Sequence, residues 1–402
     1  MSTDGVSDFD WDLGQACALP VLNWLTDYKD PFRFKDPKEL SALMLEIRAH
    51  RCSDIFVQPM MPIVVRVSGR MRCISHRVID AGEVKQFVNW LIGRDTAFTD
   101  IIGRKAVNGR YELFDPTKRE ATGARVRYGY RVNATPILGE GDTSAQIVVR
   151  EIPGDPPTVQ EVGLTQEILD GCTPENGIVY LAGSTGSGKT TTIAGLLRYI
   201  LENETPIQGN LVTGEEPIEF RFNNIRSKHS IIVQTQIPSM LESFHDFNRE
   251  CMRRAPKLVL YGELRDQETI SAAIEMSLTG HPVFGTVHAN DTASIMRRLI
   301  SRFPESQRST AIFDIVDTAR FMLAQRLVRG VDGKLLAARE YLRFDEDVRD
   351  ELSTLSDMGK VGQVVKRLVD TRGHSFKAEA RSLFDAGRID EHVARQIAKG
   401  DF

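Results

Sequence analysis

From Asp36 the chain switches between two hydrophobic periods. In PKELSALMLEIRAHR, Leu40, Leu43, Met44 and Ile47 recur at helical spacing, and Asp36 stands where an N-cap belongs. The runs SDIFVQP and PIVVRVSGRMRCI alternate apolar with polar residues, and Ser68-Gly69 divides the second into the arms of a hairpin. EVKQFVNWLIGR returns to helical spacing, and ARVRYGYRVNATPI and AQIVVREIP supply two more strand patterns. Helix, hairpin, helix and further strands predict a small α+β domain ending near Ile152. Ahead of it, residues 1–38 carry Trp11, Trp24, Phe32 and Phe34 among acids and prolines without a sustained period. They read as an extension that docks on another surface, its own domain being one candidate.

Past EIPGDPPTVQ, where three prolines and a glycine favour extended chain, the pattern changes. Short apolar runs now alternate with helical segments: GIVYLAG, TTIAGLLRYILEN, NLVTGE, IIVQTQI, KLVLYGE, ETISAAIEMSL and HPVFGTVHA. Strands alternating with helices predict a parallel α/β sheet. From Arg343 the chain is charged and mostly helical. The expected organisation is an extension (1–38), a small domain (39–153), a linker (154–160), an α/β domain (161–342) and a helical tail (343–402).

Composition narrows the function classes. The chain has 402 residues, 51 Lys and Arg against 55 Asp and Glu, and a net charge of −4, so no global basic field holds nucleic acid. Cys17, Cys52, Cys73, Cys172 and Cys251 include no C-x-x-C pair, which argues against a zinc knuckle and fits a reducing compartment. The N-terminus is acidic where a signal peptide would be basic, and no apolar run approaches the ~18–20 residues of a membrane span. The expected location is cytoplasmic.

The strongest local signal is Gly183-Ser184-Thr185-Gly186-Ser187-Gly188-Lys189-Thr190, which satisfies G-x-x-x-x-G-K-[ST] between a strand pattern and a helix pattern. Glycines let backbone N–H groups curl round a β-phosphate, and the helix N-terminus adds the positive end of its dipole. Lys189 reaches the β- and γ-phosphates, Thr190 can coordinate Mg²⁺, and Thr191 completes the cradle. This segment predicts binding of a nucleoside triphosphate.

Three later segments end strands in chemistry: LVTGEEPIEF with Glu215 and Glu216, KLVLYGELRD with Glu263, and TGHPVFGTVH with His281 before and His288 after the strand. Parallel sheets gather active-site groups at the carboxyl ends of their strands. A carboxylate there can orient water or hold the water shell of Mg²⁺, and a histidine can sense the γ-phosphate.

These segments resemble the secretion ATPase superfamily of type II secretion, type IV pili and type IV secretion. Glu-Glu-Pro-Ile-Glu-Phe is similar to its Asp box, Gly-Glu-Leu-Arg-Asp to its Walker B strand, and Thr-Gly-His through Thr-Val-His to its His box. Phe244, Arg249, Arg253 and Pro256 keep the family spacing into Walker B. Within the superfamily the chain looks closest to the retraction-type pilus ATPases and, more closely still, to the type IVB secretion and conjugation (Dot/Icm-like) ATPases. The run Arg127-Tyr128-Gly129-Tyr130-Arg131-Val132-Asn133-Ala134 and the tail Ala386-Gly387-Arg388-Ile389 carry that closer likeness.

The resemblance implies a homohexameric ring with a PAS-like N-terminal domain, a RecA-like P-loop domain, and ATP between the two. It implies Glu215 as base, Glu263 as the Walker B carboxylate, Thr190, Glu216 and Glu263 as metal contacts, His281 and His288 as His-box residues, and Arg131 and Arg150 as arginines that approach the phosphates. Implied partners are inner-membrane secretion or conjugation complex proteins, including other cytoplasmic ATPases, with peripheral membrane association through them and no direct nucleic-acid binding.

Several positions depart from the family pattern. Glu216 stands where Asp is usual, and Ala255 and Lys257 replace common acids. The retraction signature Ala-Ile-Arg-Asn-Leu-Ile is replaced by Asp347-Val348-Arg349-Asp350-Glu351-Leu352, and the tetracysteine zinc motif is missing. A secretion or conjugation ATPase is the leading expectation, with a pilus motor and a RecA-like nucleic-acid translocase as alternatives.

Overall fold

The computed structural model describes residues 33–400 apart from 51, 68–69, 75–76, 120–122, 124, 140 and 153, together with Leu19 and Pro31. The expectations for Trp11, Trp24, Phe32 and the Ser68-Gly69 turn lie outside the described residues. The chain divides into two compact units, at Gly154 and Asp155.

The first unit runs α1 (Pro37–Ala49), β1 (Asp54–Val57), β2 (Val64–Val67), β3 (Arg70–Cys73), α2 (Ala81–Ile92), α3 (Ala97–Ile102), β4 (Val107–Arg119), β5 (Arg125–Leu138) and β6 (Thr143–Ile152). Asp36 caps α1 and Asp80 caps α2, each in a reciprocal capping box with the glutamate three residues on. The periodic residues Leu40, Leu43, Met44 and Ile47 are all buried. β2 and β3 pair antiparallel with Val67 opposite Arg70, as the hairpin pattern predicts. The sheet order is β3-β2-β1-β6-β5-β4, antiparallel throughout.

Ile55, Val132, Ala134, Ile147 and Val149 meet Phe87, Val88 and Leu91 of α2 in one apolar core. Phe34, the described end of the expected extension, is fully buried in that core. It sits edge-on to Phe87 at 5.1 Å, and its N–H donates to Glu83 Oε1 at 2.8 Å. Strand β4 and helix α3 have no counterpart in the sequence reading. β4 is an edge strand with few buried residues, so little hydrophobic alternation marks it.

The second unit runs α4 (Gln166–Cys172), β7 (Gly177–Ala182), α5 (Lys189–Glu202), β8 (Asn210–Glu215), β9 (Ile231–Gln236), α6 (Phe244–Cys251), β10 (Pro256–Tyr261), α7 (Gln267–Leu278), β11 (Pro282–Val287), α8 (Thr292–Ile300) and α9 (Arg308–Thr318). It continues through β12 (Ala319–Arg329), β13 (Leu335–Arg343), α10 (Glu346–Ser353), α11 (Met358–Arg372), α12 (Phe376–Asp385) and α13 (Glu391–Lys399). The seven strands lie in the order β13-β12-β7-β11-β10-β8-β9, parallel except for β13, which returns antiparallel to β12.

Along β7, Ile178, Tyr180 and Ala182 enter one core and Val179 and Leu181 the other. Burial on both faces explains the unbroken apolar runs. The charged segment after Arg343 is not a loose appendage. Val348, Leu352, Val361, Val365, Leu368, Phe376 and Ile397 from α10–α13 join the core on one face of the sheet.

Candidate active site

The loop 183–188 leaves the buried end of β7 and turns into α5. Gly186 and Gly188 adopt the left-handed conformation, with φ of 79° and 82°. A Cβ on Gly183 would stand 2.2 Å from Ser187 Oγ and 2.5 Å from the Gln325 carbonyl oxygen, so only glycine fits there. The Gly183 N–H donates to Val287 O at 3.3 Å, tying the loop to the end of β11. Lys189 Nζ donates to the carbonyls of Gly183 (2.6 Å) and Ser184 (2.9 Å), which folds the ammonium back over the loop. Burial draws this ammonium below its ordinary pKa, with the carboxylates of Glu263 and Glu219 opposing.

The donors suit a phosphate chain. They are the N–H groups of a glycine-rich turn, the first turn of α5, an ammonium, and a buried Ser187 hydroxyl without a partner among the described residues. Thr190 lies half-buried on that first turn, beside Thr191.

The acids follow the adjacent strands. Glu215 closes β8 and is buried. Thr213 Oγ1 (2.6 Å) and Gln234 Nε2 (3.0 Å) donate to its Oε1, and Gln234 also holds the Phe220 carbonyl at 2.8 Å. Glu216, the next residue, is exposed and pairs with Arg265 Nη1 at 3.1 Å. Glu263 follows β10 and lies 3.6 Å from His288 Nε2, both groups partly exposed. The turn before Glu263 is fastened on both sides. The Gly262 N–H donates to Gly214 O at 2.8 Å, the Leu264 N–H to Thr286 O at 2.8 Å, and Thr286 Oγ1 to Gly262 O. A Cβ on Gly262 would lie 3.0 Å from Gly214 O and 3.2 Å from Glu215 Cα, so the glycine lets the two acidic strand ends approach.

Lys189, Glu215, Glu263 and His288 thus share the carboxyl edge of the parallel sheet. His281 does not. It precedes β11, where its Nδ1 lies 3.0 Å from Thr279 Oγ1 and 3.3 Å from Met276 O, about 20 Å of strand away from His288. Of the residues at family spacing, Phe244 opens α6 in the core, while Arg249 and Arg253 are exposed and pair with Glu250. Pro256 opens β10.

The first unit carries the two arginines. Asp54 of β1 is opposite Arg66 of β2 and Arg150 of β6, Arg150 is opposite Arg131 of β5, and Arg131 is opposite Arg110 of β4. Directly opposed residues point to the same face, so this is one polar row on the face away from the helices. Arg150 Nε donates to Asp54 Oδ1 at 2.6 Å, and Arg66 Nη1 lies 3.4 Å from Oδ2. Burial would raise the Asp54 carboxyl, but the Ser53 hydroxyl and the Arg150 and Arg66 guanidiniums together hold it below its usual value. Arg131 is exposed and makes no ion pair among the described residues.

A P-loop with acids and a histidine on neighbouring strand ends is the arrangement of an NTP hydrolase, and comparison with known proteins identifies which. The family model for type II/IV secretion system proteins matches residues 37–338. The chain belongs to that family. Its structure resembles the crystal structures of the ATPase DotB from Yersinia pseudotuberculosis (46% identity, TM-score 0.82, covering 96% of this chain and all of that one) and from Legionella pneumophila (36% identity, TM-score 0.82, 93% and 99%). The type IV pilus retraction ATPase PilT of Pseudomonas aeruginosa is 28% identical over 351 residues, 86% of this chain and 94% of that protein. The chain is therefore an ATPase of the secretion and pilus class, with a RecA-like nucleotide unit that follows a smaller N-terminal α+β domain and ends in helices.

Several residues around this candidate site have no counterpart in the sequence analysis. Thr213 and Gln234 orient Glu215, and Thr286 secures the turn that carries Glu263. Arg326 holds the Asn290 carbonyl after His288 at 2.9 Å. Gln325, Thr192 and Arg339 join behind the phosphate loop. Only the T-x-E spacing of Thr213 and Glu215 was a local signal, because the other contacts span distant segments. Among the described residues no helix is long and apolar enough to cross a membrane, and no group of three or more His, Cys, Asp or Glu could hold a metal.

Proposed function

We propose that this ATPase is a hexameric motor of a type IVB secretion or conjugative-transfer system, working at the cytoplasmic face of the inner membrane through partner proteins. The observation that carries this reading is the reach of the likeness. The family model stops at residue 338, whereas the DotB structures match 96% and 93% of the chain and so take in much of α10–α13. Their identities of 46% and 36% exceed the 28% of the pilus retraction ATPase.

In the proposed reaction Lys189 and the N–H groups of residues 183–188 neutralise the β- and γ-phosphates of ATP. Glu215, held in one orientation by Thr213 and Gln234, aligns the attacking water and takes up its proton. Thr190 and Glu263 would hold Mg²⁺, which binds proteins through few side chains and shares the rest of its sphere with phosphate and water. Glu216 is a weaker donor for it because Arg265 already pairs with its carboxylate. His288, beside Glu263, reads the γ-phosphate by hydrogen bond. Arg131 is the better of the two arginines for meeting developing phosphate charge, since Asp54 engages Arg150.

The test combines mass, turnover and a cell assay. The purified chain with ATP and Mg²⁺ should run as a hexamer, and Glu215→Gln and Glu263→Gln should keep ATP binding while losing roughly 10²–10³-fold in turnover. A monomer under all nucleotide conditions overturns the ring, and unchanged turnover in both variants overturns the assignments of the acids. Deleting the gene should abolish protein or DNA transfer. Lost twitching with intact transfer would assign the chain to a pilus instead.

A further inference from the structure

We propose that Gln325 and Arg339 are positioning residues for nucleotide binding, forming a buried clamp that sets the phosphate loop and fastens it to the entry segment of the second unit. A phosphate loop works only when its N–H groups face inward, which turns its carbonyls outward. An outward carbonyl in a buried place must find a donor. Ser187 is 3% exposed, and its carbonyl accepts from Gln325 Nε2 at 2.8 Å.

The orientation of that amide is over-determined. Gln325 Oε1 accepts from Thr192 Oγ1 at 2.8 Å and from Arg339 Nε at 2.9 Å. Arginine only donates, so the oxygen must face Arg339 and the Nε2 group must face the loop. Gln325 sits on β12 and Thr192 on the first turns of α5, so the clamp grips the loop and its helix together. A Cβ on Gly188 would stand 3.0 Å from Gln325 Nε2, so the glycine lets the clamp come this close.

Arg339, on β13, carries the contact further. Its two terminal nitrogens donate to the carbonyls of Gly163 (2.6 Å) and Val162 (2.5 Å), in the segment that precedes α4. The side chain is almost fully buried, and its guanidinium hydrogen bonds go to neutral oxygens. Burial draws the group down to about 10, opposed by the Glu379 carboxylate, so it remains charged at neutral pH. A buried cation held by neutral acceptors is costly unless its fixed fork of donors does what a neutral side chain cannot. Here one planar group ties a strand, an amide and two successive carbonyls of the entry segment.

That segment is held elsewhere too. Arg198 of α5 donates to Pro156 O at 2.7 Å, and a Cβ on Gly195 would lie 3.0 Å from Val162 Cγ2. A shift of residues 156–163 therefore has to stretch the Arg339 bonds or move Gln325, and with it the Ser187 carbonyl.

The decisive variant is Gln325→Glu. The new carboxylate keeps its acceptor role toward Thr192 and gains an ion pair with Arg339, so the fold is preserved, but it cannot donate to Ser187 O. Titration calorimetry of the purified full-length chain with ADP should give a Kd raised about tenfold, with the melting temperature without nucleotide close to that of the parent. Arg339→Lys should also weaken ADP binding, and the double variant should lose no more than the larger single loss. An ADP Kd for Gln325→Glu within about twofold of the parent overturns the proposal. So does a fall in melting temperature with affinity unchanged, which would make the clamp structural only. None of these readouts depends on which machine the ATPase serves.

Discussion

The two sheets of this ATPase carry their polar chemistry in different places. In the parallel sheet of the second unit the central strands β7, β10 and β11 are largely apolar, and Lys189, Glu215, Glu263 and His288 stand at or beyond the carboxyl ends of strands. In the antiparallel sheet of the first unit one face is core and the other carries a row of Arg66, Asp54, Arg150, Arg131 and Arg110 across five strands. Strands buried on both faces carry few charges along their length, whereas a sheet covered on one face can display a whole row. Strand-end groups are placed by the short turns that carry them and then oriented by neighbouring strands. Face groups are set by register, as when Asp54 engages an arginine 96 residues away.

The largest test of this contrast is Lys189→Ala. Strand-end chemistry concentrates function in single positioned groups, so phosphate release at saturating ATP should fall by roughly 10²–10³-fold. A fall of less than about tenfold would mean that the loop N–H groups alone suffice.

The face should respond more mildly and unevenly. Arg131→Ala should lower kcat about tenfold with ADP affinity nearly unchanged, because its guanidinium is not committed to a carboxylate. Equal activity in variant and parent would make the row structural and sharpen the contrast into motor and scaffold.

The smallest effect is electrostatic. The Asp54 carboxyl is held below its ordinary value in the folded state. Its contribution to stability is therefore full above the usual carboxylate pKa of about 3.9 and is lost as pH falls through the lower folded value. Acid unfolding followed by circular dichroism should show a steeper loss of stability below about pH 4 in the parent than in Asp54→Asn. Superimposable profiles would remove the ion pairs of the row from the stability of the first unit.

Legibility in the sequence followed the same division. The phosphate loop and the placement of Glu215, Glu263 and His288 at strand ends were readable because each motif is a contiguous strand–turn segment, and turn geometry is local. His281 and His288 belong to one motif, yet six strand residues separate them and carry them to opposite edges of the sheet. Strand β4 was hidden by its weak alternation, whereas β12 and β13 carried a local hairpin signal, Asp332-Gly333 between two apolar runs. The charged stretch after Arg343 read as a helical tail outside the α/β domain, although its spaced apolar residues fill a core. Charge density told of the outer faces of those helices and nothing of the inner ones.

The amino-acid order by itself determined the periodicities, the capping boxes at Asp36 and Asp80, the break near Gly154, and a phosphate-loop motif with three acids and a histidine near later strand ends. All of these rest on interactions within a few residues or on the burial of one face. Tertiary structure alone decided that Gln325 and Arg339 back the phosphate loop, that Gln234 orients Glu215, and that Arg150 is engaged while Arg131 is not. Each of those depends on strand order and register, which bring together groups up to 177 residues apart. No local pattern encodes such a meeting, because its energy exists only once both segments are buried against the same sheet.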